Sequence, residues 1–233
     1  MHMPGTHASP DYVPETSFGV WFLRTHVWQH HVLRVAIEDL DQLAARREGG
    51  TPLRGGTLLD VGCGQGRSLG LLAQTFRPDV LIGLDSHAES LAEARELIDA
   101  KGLTAQLIEG DCTRIALPDE SVDILFCHQT FHHLVDQQTA LDEFHRVLKV
   151  GGTLLFAEST KAYIDTWVIR LLFRHPMEVQ KSADEYLDMV RRRGFEFDAD
   201  HVSYPYLWWS RARDFGLLER FGLRAPPPPG QRD

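Results

Sequence analysis

The sequence predicts an α/β fold built on a doubly wound, mostly parallel sheet. Two observations carry that prediction. Between Thr57 and Ala157, short apolar runs alternate with amphipathic stretches, which is the rhythm of strands and crossover helices in a sheet covered on both faces. The first of those runs ends in a glycine cluster, Gly62, Gly64 and Gly66, placed where a parallel strand must turn sharply into the helix behind it.

The elements follow in order. Residues 1–15 carry Pro4, Gly5, Pro10 and Pro14 among small polar groups and read as a loose tail. Residues 20–43 read as helical, because Val27, Leu33, Ile37 and Leu40 recur near helical spacing with charges between them. The segment from Glu48 through Gly49 and Gly50 to Pro52 breaks that helix. Thr57–Val61 is the first strand, residues 68–76 a helix, and residues 80–84 the second strand. Ser86 and Glu89 stand at the spacing of a capping box for a helix whose buried stripe is Leu91, Ala94 and Ile98. Residues 105–108 and 122–127 are further strands. Ala140, Leu141, Phe144, Val147 and Leu148 mark one face of another helix, and Gly151 with Gly152 turns the chain into a strand at 153–157. Beyond Glu158 the rhythm loosens. Residues 161–173 are apolar and predicted helical, and Ser182 with Glu185 caps a helix that Gly194 ends. Residues 195–204 read as a late strand, 204–209 are unusually aromatic, and Pro226 to Pro229 exclude a helix or a central strand. The expected organisation is one domain over 16–223. It comprises an N-terminal helical lid at 16–48, a core at 57–158, a lid insertion at 160–181, and a C-terminal helix and strands at 182–223. A proline-rich tail at 224–233 follows.

A length of 233 residues suits one domain with a sizeable core. The 33 acidic against 24 basic side chains give a net charge of −9, so a life spent on phosphate backbones is not expected, and no DNA partner is assigned. The apolar runs at 124–127 and 167–173 fall far short of a bilayer span, and the N-terminus lacks the apolar region of a signal peptide. Cys63, Cys112 and Cys127 are too few and too scattered for a disulfide framework or a zinc cage. A reduced, cytoplasmic, soluble protein is the expectation.

The run from Leu58 to Ser68 is the most informative segment. A dinucleotide fingerprint would place glycine at 67, where this chain has Arg67, and a phosphate-binding Walker loop would end in Gly-Lys-Ser/Thr, which is absent. Pyrophosphate is therefore not the expected ligand. Asp85 ends the second strand, where an acid can accept hydrogen bonds from both hydroxyls of a ribose. Glu109, Gly110, Asp111 and Cys112 follow the third strand, where an acid can meet an adenine amino group. All of these lie at the carboxyl ends of strands, the edge at which open α/β sheets bind ligands.

These segments, with Leu117 to Ile124, Phe131 to Leu134 and Arg146 to Gly152, resemble the class I S-adenosylmethionine-dependent methyltransferases. They are most similar to the small-molecule branch that contains the ubiquinone and menaquinone biosynthesis enzymes. The resemblance covers about Thr57 to Glu158. It implies a Rossmann-like, seven-stranded sheet with a reversed last strand. It also implies S-adenosylmethionine as cofactor, contacted by Asp60, Gly62, Cys63, Gly64, Gly66, Asp85, Ser86, Gly110, Asp111, Cys112 and the backbone of His128. Asp60 and the glycine loop would hold the methionine end, Asp85 the ribose, and Asp111 with Cys112 the adenine edge.

The acceptor is less legible. The Asn/Asp-Pro-Pro-aromatic motif of DNA amino-methylating enzymes is absent after the fourth strand, where the chain reads Cys127 to Phe131. With the acidic charge, this favours a small apolar or aromatic metabolite, oxygen being the first choice of receiving atom and then carbon, nitrogen or sulfur. A tRNA or protein acceptor is one alternative, and a non-catalytic cofactor-binding partner subunit another. The candidate bases are His128, His132, His133 and Glu158, since histidine suits proton transfer near neutrality. No metal site is assigned: His128, His132 and Glu158 could converge in space, but His128 is expected in a loop and no third ligand is fixed by spacing. Trp21, Trp28 and Phe131 are candidates for an aromatic acceptor wall, with core packing or a homodimer contact as the other reading of such aromatics.

Overall fold

Five strands carry the apolar runs: β1 (Thr57–Val61), β2 (Val80–Asp85), β3 (Gln106–Glu109), β4 (Val122–His128) and β5 (Leu148–Ala157). In a computed structural model, which describes residues 15–47, 49 and 51–204, they form one sheet in the order β3-β2-β1-β4-β5, every pairing parallel. A central parallel strand must be apolar on both faces, because crossover helices cover both. Leu58 and Leu59 of β1 are each fully buried and point to opposite faces, as do Ile124 and Leu125 of β4.

The helices divide between those faces. Ser17–Leu23 (α1), His26–Trp28 (α2), a π-helical turn at Gln29–Leu33 and Arg34–Arg47 (α3) precede the sheet. Arg67–Phe76 (α4) and Ala88–Ala100 (α5) connect β1 to β3. Leu33 and Ile37 beside Leu69, Leu72, Phe76 and Ile98 build the core on that side. On the other side lie a 3-10 turn at Phe131–His133 and the helix Gln137–Val147 (α6). Phe131, Leu141 and Phe144 from these, with Tyr186 and Val190, fill that core. Lys161–Ile164 (α7), Trp167–Leu172 (α8) and Ala183–Arg192 (α9) complete the described chain.

The alternating rhythm is as the sequence predicts, and three local expectations change. Ser86 does not cap α5: the Asp85 carboxylate accepts the His87 N–H at 2.9 Å, and His87 becomes the N-cap. The Ser182–Glu185 box does form, the Ser182 N–H donating to Glu185 at 2.7 Å. The segment 161–173 is two short helices broken at Asp165 and Thr166 rather than one. Residues 195–204 form no strand, and contain only a 3-10 turn at Ala199–His201. Phe195 instead packs edge-on against His145 at 5.5 Å, and Phe197 lies under Arg191, so these aromatics serve the packing of α6 and α9. The described residues hold five of the seven expected strands, all parallel; residues 1–14 of the expected tail, the aromatic segment beyond Tyr204 and the proline-rich stretch lie outside the described residues. None of the described helices is long and apolar enough to cross a membrane.

Candidate active site

The chain lays down β1, β2 and β3 in one direction, then crosses to β4 on the far side of β1. The loops after β1 and β4 therefore diverge, and a crevice opens between them at the carboxyl edge. A cavity of about 500 Å³ occupies it, with Asp60, Gly64, Asp85 and Asp111 on one side and Trp28, His128, His133 and Leu134 on the other. A larger hollow of about 890 Å³ runs along the outer edge of β5. It is bounded by Tyr204, the last described residue, and shares only His128 and Gln129 with the first. The strand-end acids lie in the smaller cavity.

The glycine loop is shaped for a ligand. Gly62 has φ of +74° and its Cα lies so close to Thr130 that any Cβ would collide with that side chain. Gly64 has φ of +50°, yet a Cβ there would meet nothing within 4 Å. The space beside its backbone belongs to the cavity. The Gly64 N–H donates to Asp85 Oδ2 at 2.8 Å, tying the loop after β1 to the end of β2. Asp85 Oδ1 accepts the His87 N–H and lies 3.3 Å from His87 Nδ1, while Oδ2 keeps a second lone pair for a ligand hydroxyl. Asp111 Oδ1 accepts the Thr113 N–H at 2.7 Å, which sets the turn after β3.

Two wall groups lack counterparts. Asp60 is 2% exposed, is hydrogen-bonded by the Ser68 hydroxyl, and has its carboxyl pushed up to about 7 by burial, with the nearby Asp85 adding to the rise. The Arg67 Nε is buried with no hydrogen-bond partner. A buried acid and an unpaired N–H donor in one wall suit a ligand bearing both a cation and a carboxylate, as the amino-acid end of S-adenosylmethionine does. The three cysteine thiols are buried and free. Burial pushes Cys112 up to about 12 and the other two well above the ordinary thiol range, so none is a thiolate near neutrality.

The sequence of this core matches a known domain family. Residues 59–156 fit the methyltransferase domain. Over this core the chain is similar to the S-adenosylmethionine-dependent methyltransferases. A fatty-acid O-methyltransferase of Mycolicibacterium smegmatis is 29% identical over 147 residues, 63% of this chain and 49% of that protein. A malonyl-[acyl-carrier protein] O-methyltransferase of Coxiella burnetii is 33% identical over 100 residues, 43% of this chain and 32% of that one. The chain thus spans about half or less of the length of these curated relatives. Among solved structures, a SAM-dependent methyltransferase from Aquifex aeolicus shares the fold at a TM-score of 0.60 and 22% identity, over 81% of this chain and 92% of that one.

Within this methyltransferase core, the predicted cofactor residues gather at one cavity: Asp60, Gly62, Cys63, Gly64, Asp85, Ser86, Gly110, Asp111, Cys112 and His128 all line it. Gly66 does not. It packs against Ala94 behind the loop, so its role there is to let α4 and α5 approach.

The acceptor side departs further from expectation. Trp28 lines the cavity, 5.8 Å from the His128 ring. Trp21 does not; it is 58% exposed and lies against Phe18, the two rings tilted at 46°. Phe131 is fully buried among Phe144, Phe156 and Tyr186, a core residue with no face for an acceptor. The candidate bases also separate. Burial pushes His128 down to about 4, and Glu158 lies beneath the cavity with both oxygens engaged. Its Oε1 accepts the N–H groups of Thr130 and Phe131 at 3.0 and 2.9 Å, and Oε2 meets His132 Nδ1 at 2.5 Å. Glu158 thus fastens the turn carrying the histidines, and of the histidines after β4 only His128 and His133 reach the cavity wall. Thr130, Arg67, Gln129 and Leu134 also line it; each falls inside a segment read from the sequence, but none was expected there as a site residue.

Proposed function

We propose that this chain transfers the methyl group of S-adenosylmethionine to an oxygen of a small apolar acceptor, best a carboxylic acid. The switch-point cavity carries the reading. One wall offers acids, a bare glycine backbone and an orphan arginine N–H to the cofactor, and the other offers Trp28, Leu134 and two histidines to the acceptor. Bound there, the cofactor supplies an activated methyl on a sulfonium, so alignment and water exclusion account for much of the acceleration. The chain's own part is to hold the two partners in line and to close the crevice with α1 and α2, which contribute Val20, Leu23 and Trp28.

A carboxylate acceptor is favoured by the state of the histidine nearest the crevice floor. Burial holds His128 neutral and weakly basic. A phenol, with a pKa of about 10, needs a base to become nucleophilic, whereas a carboxylic acid is already ionised at neutral pH. The O-methyltransferase names of the two curated relatives support oxygen as the receiving atom.

The test is to incubate the protein with methyl-labelled S-adenosylmethionine and a panel of alkanoic acids, phenols and thiols, alongside tRNA and protein pools. The expected product is a methyl ester that releases labelled methanol in mild base. Label in RNA or protein overturns the acceptor class. Cofactor binding with no label in any pool would instead support a non-catalytic binding subunit.

A further inference from the structure

Beside the cavity lies a histidine cluster of which the methyl-transfer reading uses only His133, as part of the acceptor wall. The 3-10 turn at Phe131–His133 places two histidines side by side, and the loop after α8 brings His175 against both. Ring centroids lie 4.3 Å apart for His132 and His133, 5.1 Å for His132 and His175, and 4.9 Å for His133 and His175. One ring nitrogen from each lies within 4.8 Å of the other two. Tetrahedral zinc with bonds of about 2.0–2.1 Å needs nitrogen separations of about 3.4 Å. Rotation of the imidazoles about their side-chain torsions covers that difference.

The surroundings resemble the support a metal site requires. His132 presents Nδ1 to Glu158 at 2.5 Å, which leaves Nε2 as the outward nitrogen, the carboxylate–histidine arrangement that fixes a ligand's tautomer and direction. Gln180 is buried and clamps the two segments together, its Nε2 donating to the carbonyls of His132 at 2.7 Å and Pro176 at 2.9 Å. His133 opens onto the switch-point cavity, so the cluster has a route to solvent and to small molecules.

We propose that His132, His133 and His175 form a binding site for one divalent transition-metal ion of the zinc type, with Glu158 and Gln180 as positioning residues. All-imidazole sets suit zinc, cobalt, nickel and copper over calcium or magnesium, whose ligands are oxygens. Three protein ligands leave a fourth position, which a water or an oxygen anion entering from the His133 side completes. The site is independent of what the methyl group is transferred to.

The test is a titration of chelator-treated full-length protein with Zn²⁺, followed by a Co²⁺ titration read by its visible spectrum. The expected result is one ion per chain and a four-coordinate cobalt spectrum. His175→Ala and His133→Ala should each weaken Zn²⁺ binding by about 100-fold or more, with circular dichroism and thermal melting showing that each variant is folded. Glu158→Gln should weaken it by about 10–100-fold. The surface pair His26 and His30, stacked at 5.8 Å, is the rival site, and His30→Ala should change nothing. Equal affinity in wild type and His175→Ala, loss in His30→Ala, or no binding at micromolar Zn²⁺ overturns the proposal.

Discussion

Asp85 holds the glycine loop and presents itself to the cavity with the same carboxylate, accepting from Gly64 on one oxygen and His87 on the other. Asp85→Asn keeps the shape but turns one acceptor into a donor. Charge-assisted hydrogen bonds contribute about 1.5–3 kcal/mol, so the expected outcome is cofactor binding weakened about 10- to 100-fold, measured by calorimetry. Unchanged affinity would remove Asp85 from the cofactor site. Asp85 was legible because it ends an apolar strand one βα unit after the glycine cluster. Phe131 was misread for an equally physical reason. A 3-10 turn has three residues per turn, so adjacent side chains diverge by about 120°. Phe131 then points into the core, His132 to Glu158 and His133 to the cavity, although the sequence presents them as one motif. His175 and Gln180 left no trace, since their partners are 42 and 48 positions away in sequence and no periodicity records such a meeting.

The N-terminal segment and residues 161–173, expected from sequence to fold together across the strand ends as a lid, pack against each other. Thr16 donates to the Leu172 carbonyl at 2.6 Å, and Phe173 receives the rings of Phe18 and Phe22 edge-on at 5.6 and 5.8 Å. Arg24 reaches across to Glu93 on α5, an exposed pair that adds little. The aromatic contacts therefore set how firmly the lid closes. Phe173→Ala removes both, at about 0.5–1.5 kcal/mol per pair beyond burial. Hydrogen exchange of the α1 and α8 amides should accelerate roughly 5- to 100-fold while β1 and β4 keep their protection. Uniform acceleration across the sheet would mean that the lid and core open together. The strands and long helices were legible because burial imposes a period on them. The individual lid helices were not, because helices of four to seven residues show too few turns for a period and owe their form to tertiary contacts.

At the scale of the whole molecule, the parallel core and its ligand-binding edge were legible because alternation, glycine and strand-end acids all point the same way. Residues 195–204 were not, because aromatic residues satisfy a strand pattern and a loop packed on helices equally well. The acids that define the binding edge also couple it to pH. Asp60 keeps its proton up to about pH 7 in the folded protein, against a reference value of 3.8. Between those values the unfolded chain has released a proton that the folded one retains, so this group's stabilising contribution is complete below pH 3.8 and is lost as pH rises to about 7. Burial of His128, His132 and His175 acts in the opposite sense below pH 6.5, so the net wild-type profile does not isolate Asp60. Comparison with Asp60→Asn does. The variant should gain thermal stability over wild type progressively from pH 5 to 7 and hold a constant margin above that. S-adenosylmethionine reverses the balance, because its positive charge favours the carboxylate. Its affinity for wild type should therefore rise through pH 7 with release of a proton, read as a buffer-dependent heat, while Asp60→Asn lacks that contribution. The cofactor's own groups titrate alike in both proteins. A stability margin that does not vary with pH would show that Asp60 is ionised throughout and that the binding edge carries its full negative charge before the cofactor arrives.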